Sequence, residues 1–403
     1  MPSEDLRRSL LMRLYAAGLD AVRGDEAVQR ALAPTGEAPV AVLGLGKAAT
    51  AMARGALARL GTRVASMLLV TRFGHAGDAP DGVEVIESAH PVPDPSSLRA
   101  GARVRDWLMQ RREPELLVLL SGGTSALVEH LPEGVDLSTL QALNRWLLGS
   151  GMPIGEMNRF RAALSCIKAG GLLGSVPKGM QVRVLLISDV PGDDPRLIGS
   201  GPFHPWPEPP DPDPATLPPQ LRAGWRTCPK PVRPVPEHRI VASGRHALDA
   251  MEALGRAEGL TVHRHEFVQG DAAEAGRRMA EWLRDEAPSG LHLWHGEPTV
   301  QLPEHPGQGG RCQHLALSAA VVLEGHNDVL LLAAATDGGD GSSSDAGALV
   351  DGATIARGRA EGLDPLHALQ TADSGRFLAA SGDLVNTGPT GTNVMDLFIA
   401  LKS

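Results

Sequence analysis

Short apolar runs alternate with longer amphipathic stretches along most of the chain from residue 40 onward. The amphipathic stretches span about 12–18 residues, a length typical of helices that cover a mostly parallel sheet. Five apolar runs in the first half predict strands: Val40–Leu43, Ala65–Val70, Val83–Glu87, Leu116–Leu120 and Val182–Ile187. Helices are predicted after Lys47, after Pro95, after Ser138 and near Glu156. Ser138 is the expected N-cap of the third helix, with Gln141 in the capping-box position. The pattern predicts an α/β domain.

A proline-rich segment separates this domain from a second one. Residues 202–236 contain thirteen of the 32 prolines, a density that predicts a linker or an extended wrap. The alternation then resumes, and five more strands are predicted: Arg239–Ala242, Thr261–His265, His292–Trp294, Val329–Ala335 and Leu397–Leu401. We therefore expect a second α/β domain, with a catalytic cleft between the two domains.

Length, charge and cysteine content narrow the class of protein. The chain has 403 residues and is 42% hydrophobic, which suits two cores better than one. A formal net charge of −9 argues against a nucleic-acid partner. No apolar run approaches the roughly 20 residues of a membrane helix. Cys166, Cys228 and Cys312 are too scattered for a disulfide framework or a zinc site, so we expect reduced thiols in a cytoplasmic protein.

The first glycine-rich segment, AVLGLGKAATAMA at residues 41–53, predicts a strand, a tight turn and a helix. Gly44, Gly46 and Ala49 match the dinucleotide fingerprint G-x-G-x-x-A, which brings backbone N–H groups to a phosphate. Arg72 stands where that fingerprint expects an acid, so a reductase that uses NADP stays open. Lys47 instead favours a transferring phosphoryl group or an acidic substrate. A tight turn with no ligand is the remaining alternative.

The second segment is LLVLLSGGTSALV at residues 116–128, a buried strand that runs into a polar turn. Its candidate phosphate ligands are Ser121, Gly122, Gly123, Thr124 and Ser125. Consecutive N–H groups followed by hydroxyls form an anion-binding nest at the carboxyl end of a strand. No Walker motif occurs in the chain, so nucleotide chemistry would need a different cradle.

Acidic side chains follow the strand that ends in the third segment, VLLISDVPGDDPRLIGSGP at residues 184–202. Asp189, Asp193 and Asp194 suit Mg²⁺ held partly through water, or a base for a substrate hydroxyl. A solvated acidic turn is the alternative.

The fourth group comprises four loops in the second half of the chain: HGEPTV (295–300), GQGGR (307–311), ATDGGDGSSSDAGALVDG (335–352) and TGPTGTNVMDL (387–397). Their D-G steps are also typical of simple turns or calcium loops, but the bidentate acid of a calcium loop is missing. We favour substrate loops.

Several long segments, in this order, resemble the glycerate 2-kinase family, whose C-terminal half is called the MOFRL domain. They are GLGKAATAMA, SAHPVPDPSSLRA, SGGTSAL, EMNRFRAALSCIKAGGLL, SDVPGDDPRLIGSGP, HGEPTV, GQGGRCQ, ATDGGDGSSSDAGALVDG and TGPTGTNVMDL. The resemblance implies a Rossmann-like domain over 1–228 and an α/β MOFRL domain over 237–403. It also implies Mg²⁺-dependent transfer of the ATP γ-phosphate to the 2-hydroxyl of D-glycerate, giving 2-phosphoglycerate.

The resemblance implies active-site roles for Lys47 and Arg311, and we add Asp189 as metal ligand or base. The expected metal ligands are Asp189, Asp193 and Glu297. The expected cofactor-binding residues are Gly44, Gly46, Ser121, Gly122, Gly123, Thr124, Ser125, Gly388, Thr390 and Asn393. The expected substrate-binding residues are Lys47, Arg161, Arg311 and Asp337. Expected partners are a small hydroxy acid and a nucleotide; a homodimer is compatible with the sequence.

The chain departs from the family pattern beside Arg311. Cys312 and His314 stand where the family has an amide and a carboxylate, His295 replaces a glycine, and Ala162 and Ala163 replace a basic pair. Altered substrate choice or lost activity would follow if these side chains face the substrate. Two alternatives are therefore kept: a hydroxypyruvate reductase that uses NAD(P)H, and a non-catalytic protein that binds a nucleotide or hydroxy acid.

Overall fold

The computed structural model describes residues 4–33, 36–77, 79–208 and 210–403. The helices are α1 (Glu4–Val22), α2 (Gly24–Ala31), α3 (Ala49–Leu60), α4 (Pro95–Met109), α5 (Thr124–Leu127), α6 (Leu137–Gly149), α7 (Ile154–Leu164), α8 (Pro219–Arg222), α9 (Gly244–Ala257), α10 (Ala272–Asp285), α11 (Arg311–Leu323), α12 (Thr354–Ala360), α13 (Pro365–Gln370) and α14 (Ser374–Ser381). The strands are β1 (Val40–Leu45), β2 (Val64–Arg72), β3 (Glu84–Ser88), β4 (Glu115–Leu120), β5 (Gln181–Ile187), β6 (Glu237–Ala242), β7 (Val262–Arg264), β8 (Gly290–Gly296), β9 (Val329–Ala335), β10 (Gly347–Val350), β11 (Leu384–Val385) and β12 (Asp396–Lys402). None of the described helices is long and apolar enough to cross a membrane.

The first sheet has the strand order β3-β2-β1-β4-β5-β6. Strands β3, β2, β1, β4 and β5 are parallel to one another, as the apolar runs predict. Every residue of β1 is buried, because helices cover both faces of such a sheet. One local prediction is wrong. Helix α6 is capped by Asp136, whose carboxylate accepts from the Thr139 amide at 2.8 Å, and Ser138 lies within the first turn.

The chain changes direction in this sheet between β1 and β4. From β1 it proceeds outward to β2 and β3, whereas from β4 it proceeds to β5 and β6 on the other side. The connections that follow β1 and β4 therefore lead to opposite sides of the sheet, and the two turns lie at the carboxyl ends of these adjacent strands. Open α/β sheets bind their ligands at such a switch point.

The second sheet has the order β11-β10-β9-β12-β8-β7 and is mainly antiparallel. Only β7 and β8 pair in parallel among the strand pairs of this sheet. Strand β12 lies between β8 and β9 and is antiparallel to both. Its first residue, Asp396, is therefore opposite Gly296 and Ala335 at the ends of those strands. This places three loops at one edge of the sheet.

The two compact units differ from the predicted domains 1–228 and 237–403. One unit is Gly24–Val241, and the other comprises Met1–Arg23 with Ala242–Ser403. Helix α1 belongs to the second unit, where the Tyr15 hydroxyl donates to the Ala335 carbonyl at 2.6 Å. Strand β6, predicted for the second domain, completes the first sheet. An amphipathic helix or a short strand does not itself specify which sheet it joins.

The proline-rich segment is a wrap within the first unit. Leu217 and Leu221 are buried in one apolar cluster with residues of α6 and α7. Trp225 packs edge-on against Phe160, with ring centroids 5.8 Å apart. The segment therefore contributes to a small core, which its prolines alone do not indicate.

A disulfide bond joins Cys166 and Cys228, so the expectation of reduced thiols is wrong for these two residues. Cys312 is free and buried. The bonded cysteines are separated by 62 positions. The Cys228 amide donates to the Ala163 carbonyl at 2.8 Å, which fixes the two segments side by side. Such a long separation gives no local sequence signal for the pairing.

Thiol titration is expected to detect one thiol in the denatured, unreduced protein and three after reduction, because the chain has three cysteines and one bond. The cross-link restricts the unfolded chain, and a loop of this size is worth about 4 kcal/mol in the free energy of unfolding. Reduction should therefore lower the urea midpoint. Three thiols before reduction would contradict the bond, and an unchanged midpoint would contradict its stabilising role.

Candidate functional site

The turn after β1 places the half-buried Lys47 side chain at the carboxyl edge of the first sheet, and the backbone amides of this turn are already used. The amide of Gly46 donates to the Val70 carbonyl at 3.0 Å, and that of Lys47 donates to the Gly122 carbonyl at 2.9 Å. A Cβ atom at Gly46 would lie 2.3 Å from Ser121 Oγ. This glycine therefore allows the two loops to touch. Gly44 has a similar packing role, since a Cβ atom there would lie 2.5 Å from Leu69 Cδ2.

The loop after β4 has the open amides that the first turn lacks. Among the described residues, the N–H groups of Gly122, Gly123, Thr124 and Ser125 donate to no protein acceptor. The loop keeps its shape because Thr124 Oγ1 donates to the Ser121 carbonyl at 2.9 Å, and Gly123 adopts a φ of +87°. Four consecutive unpaired amides attract an anion, as a backbone nest does.

Two side chains flank this nest at Gly123. A Cβ atom at Gly123 would lie 3.2 Å from Lys47 Cγ and 3.1 Å from His90 Cδ2. Both side chains therefore lie against the loop, and only glycine fits beneath them. His90 was not predicted as a site residue. Its available signal is positional, because it follows β3 by two residues at the carboxyl edge of the parallel sheet.

The predicted acidic residues follow β5 at the same edge. Asp194 pairs with Arg196 at 2.6 Å, so it is engaged within its own turn. Asp189 and Asp193 are both half-buried. No group of three or more His, Cys, Asp or Glu side chains that could hold a metal occurs in the described ranges. A fully protein-ligated Mg²⁺ site therefore does not fit, whereas Mg²⁺ carried by phosphates needs only one or two carboxylates.

Arg161 on α7 is, after Lys47, the second predicted substrate-binding cation in the first unit. Its guanidinium donates to two neutral amide oxygens, Asn144 Oδ1 at 3.1 Å and Asn158 Oδ1 at 3.3 Å. Burial lowers its pKa from the ordinary value. Within the described part of the chain no carboxylate forms an ion pair with it. Its positive charge is thus available to a ligand carboxylate.

Arg311 begins α11 and lies between two carboxylates of the second unit. Its Nε is 2.6 Å from Asp396 Oδ2, and its Nη1 is 2.8 Å from Glu297 Oε1. Asp396 is fully buried, whereas Glu297 is 43% exposed. Burial works against the charge of Arg311, but Asp396 outweighs that effect and raises its pKa. Glu297 therefore forms an ion pair with Arg311. Its role as a Mg²⁺ ligand stays a prediction.

Asp340 fixes the start of α11 from the adjacent loop. Its two carboxylate oxygens accept the amides of Cys312 at 3.1 Å and Gln313 at 2.8 Å. The side chain is only 2% exposed. Burial raises the pKa of Asp340 to about 7, although the two amides oppose that shift. Burial also raises the pKa of Asp396 to about 6, against the pull of Arg311.

We expect stability to fall as the pH rises from about 4 to about 7, by at most about 1.4 kcal/mol per unit for each group. A raised carboxyl pKa means that folded Asp340 keeps a proton that the unfolded chain has released. Urea unfolding across this range measures the slope. Asp340→Asn should flatten it above about pH 6, where Asp396 is already ionised. An equal slope in both proteins would contradict the assignment.

The departures beside Arg311 face the core of the second unit. Cys312 is fully buried in the apolar cluster around α11. His314 lies against Ser374, with Nδ1 3.0 Å from Oγ, and burial lowers its pKa. Neither side chain forms a hydrogen bond with Arg311 in the described hydrogen-bond network. Cys312 and His314 therefore affect the packing of the second unit more directly than they affect the charge around Arg311.

The loops 335–352 and 387–397, two of the predicted substrate loops, contact each other at the edge of the second sheet where β9 ends and β12 begins. Thr390 Oγ1 donates to the Thr336 carbonyl, and the Met395 amide lies 3.4 Å from Asn393 Oδ1. A Cβ atom at Gly338 would lie 2.0 Å from the Gly388 carbonyl oxygen. These contacts give the loops a fixed shape next to Asp337, which follows β9.

Comparison with known proteins agrees with this architecture. The chain matches the domain of unknown function DUF4147 over residues 10–215 and the MOFRL family over residues 290–396. It is 36% identical to a D-glycerate 2-kinase of Thermotoga maritima, over 98% of each chain. It is also 38% identical to an Agrobacterium vitis protein provisionally described as a hydroxypyruvate reductase, over 88% of this chain and 97% of that one.

A crystal structure of glycerate kinase from Thermotoga maritima superposes with a TM-score of 0.87 and 34% identity, covering 100% of both chains. The DUF4147 match includes the Lys47 turn and the Gly122–Ser125 nest, and the MOFRL match includes the Arg311 loop. The chain is therefore a member of the glycerate 2-kinase family of kinases.

Proposed function

We propose that this kinase transfers the γ-phosphate of ATP to the 2-hydroxyl of D-glycerate and releases 2-phosphoglycerate and ADP. The observation that carries the proposal is the row of open amides from Gly122 to Ser125 beside Lys47. Phosphoryl transfer depends mainly on positioning and charge neutralisation, which amides and an ammonium group supply.

In this proposal the nest binds an anionic group of the substrates, and Lys47 neutralises charge on the transferring phosphoryl group. The oxygen of the glycerate 2-hydroxyl forms a new bond to the γ-phosphorus, and the bond from that phosphorus to ADP breaks. Asp189 accepts the hydroxyl proton. Because Asp189 is only half-buried, it keeps enough contact with water to pass this proton on.

Glycerate recognition is proposed for the predicted substrate-binding residues. Arg161 suits the carboxylate of glycerate, because the two side chains that accept its described hydrogen bonds, Asn144 and Asn158, are uncharged. The carboxylate of Asp337 suits a glycerate hydroxyl, from which it would accept a hydrogen bond. Arg311 is proposed as a second charge-neutralising group for the phosphoryl transfer. Its ion pairs with Asp396 and Glu297 hold the guanidinium in a defined orientation.

Mg²⁺ would neutralise the ATP phosphates when bound. Asp189 and Asp193 are the carboxylates that suit it, as a pair that complements phosphate ligands. The remaining predicted nucleotide contacts, Gly388, Thr390 and Asn393, are proposed to shape the loop that receives the nucleotide.

A coupled assay tests the proposed function. The purified full-length chain is incubated with ATP, Mg²⁺ and a panel of hydroxy acids, and the product is passed to enolase. Enolase accepts 2-phosphoglycerate and not the 3-isomer, so an enolase signal that requires D-glycerate is the expected result. ADP formation with a product that enolase ignores would contradict phosphorylation of the 2-hydroxyl. If no ADP forms with any of the acids, the kinase proposal is contradicted. The remaining alternative is then a non-catalytic protein that binds a nucleotide or hydroxy acid.

The hydroxypyruvate reductase alternative is less favoured by the geometry. The amides of the G-x-G-x-x-A turn donate inside the protein and are closed to a pyrophosphate. Arg72, the candidate for a 2′-phosphate, contacts His75 through Nε at 2.5 Å. Oxidation of NADPH or NADH with hydroxypyruvate, in the absence of ATP, would support the reductase alternative.

We also propose a cytoplasmic location, where ATP and hydroxy acids meet, although disulfide bonds such as Cys166–Cys228 are uncommon there. We propose a homodimer as the assembly. Light scattering of the purified chain measures the assembly, and a monomer mass would overturn it.

A further inference from the structure

A buried ion pair that has no part in the proposed chemistry lies directly behind the nest. Lys168 is 4% exposed and Glu129 is 1% exposed, and their charged groups are in contact. Lys168 Nζ also donates to the Ser125 carbonyl at 3.1 Å. The ammonium group therefore connects the carboxylate to the last residue of the Gly122–Ser125 nest.

Glu129 is fixed by several partners that leave its carboxylate little freedom. Its backbone amide donates to the Ser97 carbonyl at 3.1 Å. Its Oε1 accepts from the His130 amide at 2.9 Å and from the Ser165 hydroxyl. A Cβ atom at Gly101 would lie 2.0 Å from the Glu129 carbonyl oxygen, so helix α4 packs closely on this residue. Glu129 therefore provides a rigid anchor for Lys168.

The segment that carries Lys168 also holds the neighbouring GSG turn. The amide of Ala169 donates to the Ser200 carbonyl at 3.0 Å, and that of Gly170 donates to the Gly201 carbonyl at 2.7 Å. The Ser200 hydroxyl in turn donates to Ser125 Oγ at 3.0 Å. Ser125 is thus held at its carbonyl by Lys168 and at its hydroxyl by Ser200.

The charges behind the nest leave a positive excess. Lys230 donates to the Ser165 carbonyl, next to the same carboxylate, so two ammonium groups face one carboxylate. The pKa of Lys230 is lowered to about 8, mainly by burial and in part by Lys168, while Glu129 opposes the shift. An anion on the nest would balance this excess. Burying a lysine–glutamate pair seldom adds stability by itself, so a positional role explains the pair better.

We propose that Lys168 is a positioning residue which, anchored by Glu129, holds the Ser125 carbonyl so that the Gly122–Ser125 amides converge on an anionic group of a substrate. That group is either a phosphate of ATP or the carboxylate of glycerate. The kinetic part of the test rests on the proposed function; the binding part does not.

The test compares Lys168→Met with a matched control, Lys178→Met, in the full-length chain. Lys178 is an exposed lysine of the same unit, in the turn before β5. We expect Lys168→Met to raise the KM of one substrate by about tenfold or more, as loss of a charged hydrogen bond implies. The KM of the other substrate should change much less. A raised KM for ATP identifies a phosphate, and a raised KM for glycerate identifies a carboxylate. Lys168→Arg should recover part of the loss.

A purely structural role would lower the melting temperature and leave both KM values unchanged, which would overturn the proposal. If Lys168→Met does not fold, the double variant Lys168→Met with Glu129→Met removes both buried charges together. It should fold more readily than Lys168→Met, because the buried pair is removed as a whole and Lys230, with a pKa of about 8, can release its proton. Wild-type KM values in that variant would overturn the proposal, and a raised KM would support it.

Calorimetric titration with ATP, glycerate and inorganic phosphate separates this inference from the proposed function. Absence of turnover in the wild-type chain would defeat the kinase proposal alone. Weaker binding of one of these anions to Lys168→Met than to Lys178→Met would still support the positioning role. Equal binding of all three would overturn it.

Discussion

Lys47→Ala is expected to lower kcat by about 10²–10³-fold, the usual cost of one preorganised charge-stabilising group. The Lys47 side chain lies against Gly123, beside four amides that donate to no described protein acceptor. Its ammonium group would neutralise charge that develops on the transferring phosphoryl group, so the loss should appear mainly in kcat. The enolase-coupled assay measures kcat with both substrates saturating.

Folding should be unaffected by this substitution. The backbone of Lys47 makes the bond to Gly122, and alanine retains it. The melting temperature of Lys47→Ala should therefore match that of wild type. Lys178→Ala is the matched control, since Lys178 is exposed at the opposite, amino end of the parallel strands. Full activity in Lys47→Ala would remove Lys47 from the mechanism, and so would an equal loss in the control.

Lys47→Arg is informative beside the alanine variant. An arginine keeps the charge but replaces a compact ammonium group with a wide planar fork. Because the Lys47 side chain already runs close against Gly123, the wider fork should be placed less well beside the nest amides. We expect Lys47→Arg to recover only a small part of kcat.

The sequence predicted the parallel strands of the first sheet well. Strands such as β4 are short apolar runs that end in a polar turn, and parallel packing follows from the helices between them. Parallel strands end at one edge, and the strand order, which the sequence does not give, makes the loops at Lys47 and Ser121 neighbours. The contact of the Lys47 amide with the Gly122 carbonyl confirms that they meet.

Features that depend on distant contacts were not predictable. Cys166 pairs with Cys228, and α1 packs in the second unit, because of tertiary contacts that no local pattern encodes. Asp396 reads as part of a loop motif, yet it begins a central strand and is fully buried. His90 belongs to no predicted site motif, and the fold places it against Gly123. The residues that complete each candidate site are thus the ones that only the fold brings together.

Arg311→Met is expected to lower the free energy of unfolding by about 3–5 kcal/mol, as removal of one partner from a buried ion pair does. Asp396 is fully buried and would lose the guanidinium that lies 2.6 Å from it. Kinase activity should be lost as well if Arg311 neutralises charge during transfer. Denaturant unfolding and the enolase-coupled assay measure the two effects. Arg277→Met is the control: Arg277 is an exposed arginine of α10 that pairs with Glu274 and Glu281, and such pairs contribute about 1 kcal/mol or less.

The stability loss of Arg311→Met should depend on pH in a defined direction. Burial already raises the pKa of Asp396 to about 6, and removal of Arg311 raises it further. Below that pKa the folded variant holds a neutral carboxyl group, which costs little to bury. The deficit should therefore be small near pH 5 and large near pH 8, because about 1.4 kcal/mol accrues per pH unit between the Asp396 pKa of wild type, about 6, and the higher pKa of the variant. A deficit that is independent of pH would contradict an unpaired Asp396 as its cause.

Adding Asp396→Asn to Arg311→Met separates the structural role of Arg311 from its chemical role. The amide removes the unpaired charge while keeping the shape of the side chain, so most of the stability should return. If Arg311 acts on the phosphoryl group, this stable double variant remains inactive, because neither substitution restores a cation at that position. If activity returns with stability, Arg311 serves only to neutralise Asp396. In that case the proposed role of Arg311 in the phosphoryl transfer is contradicted.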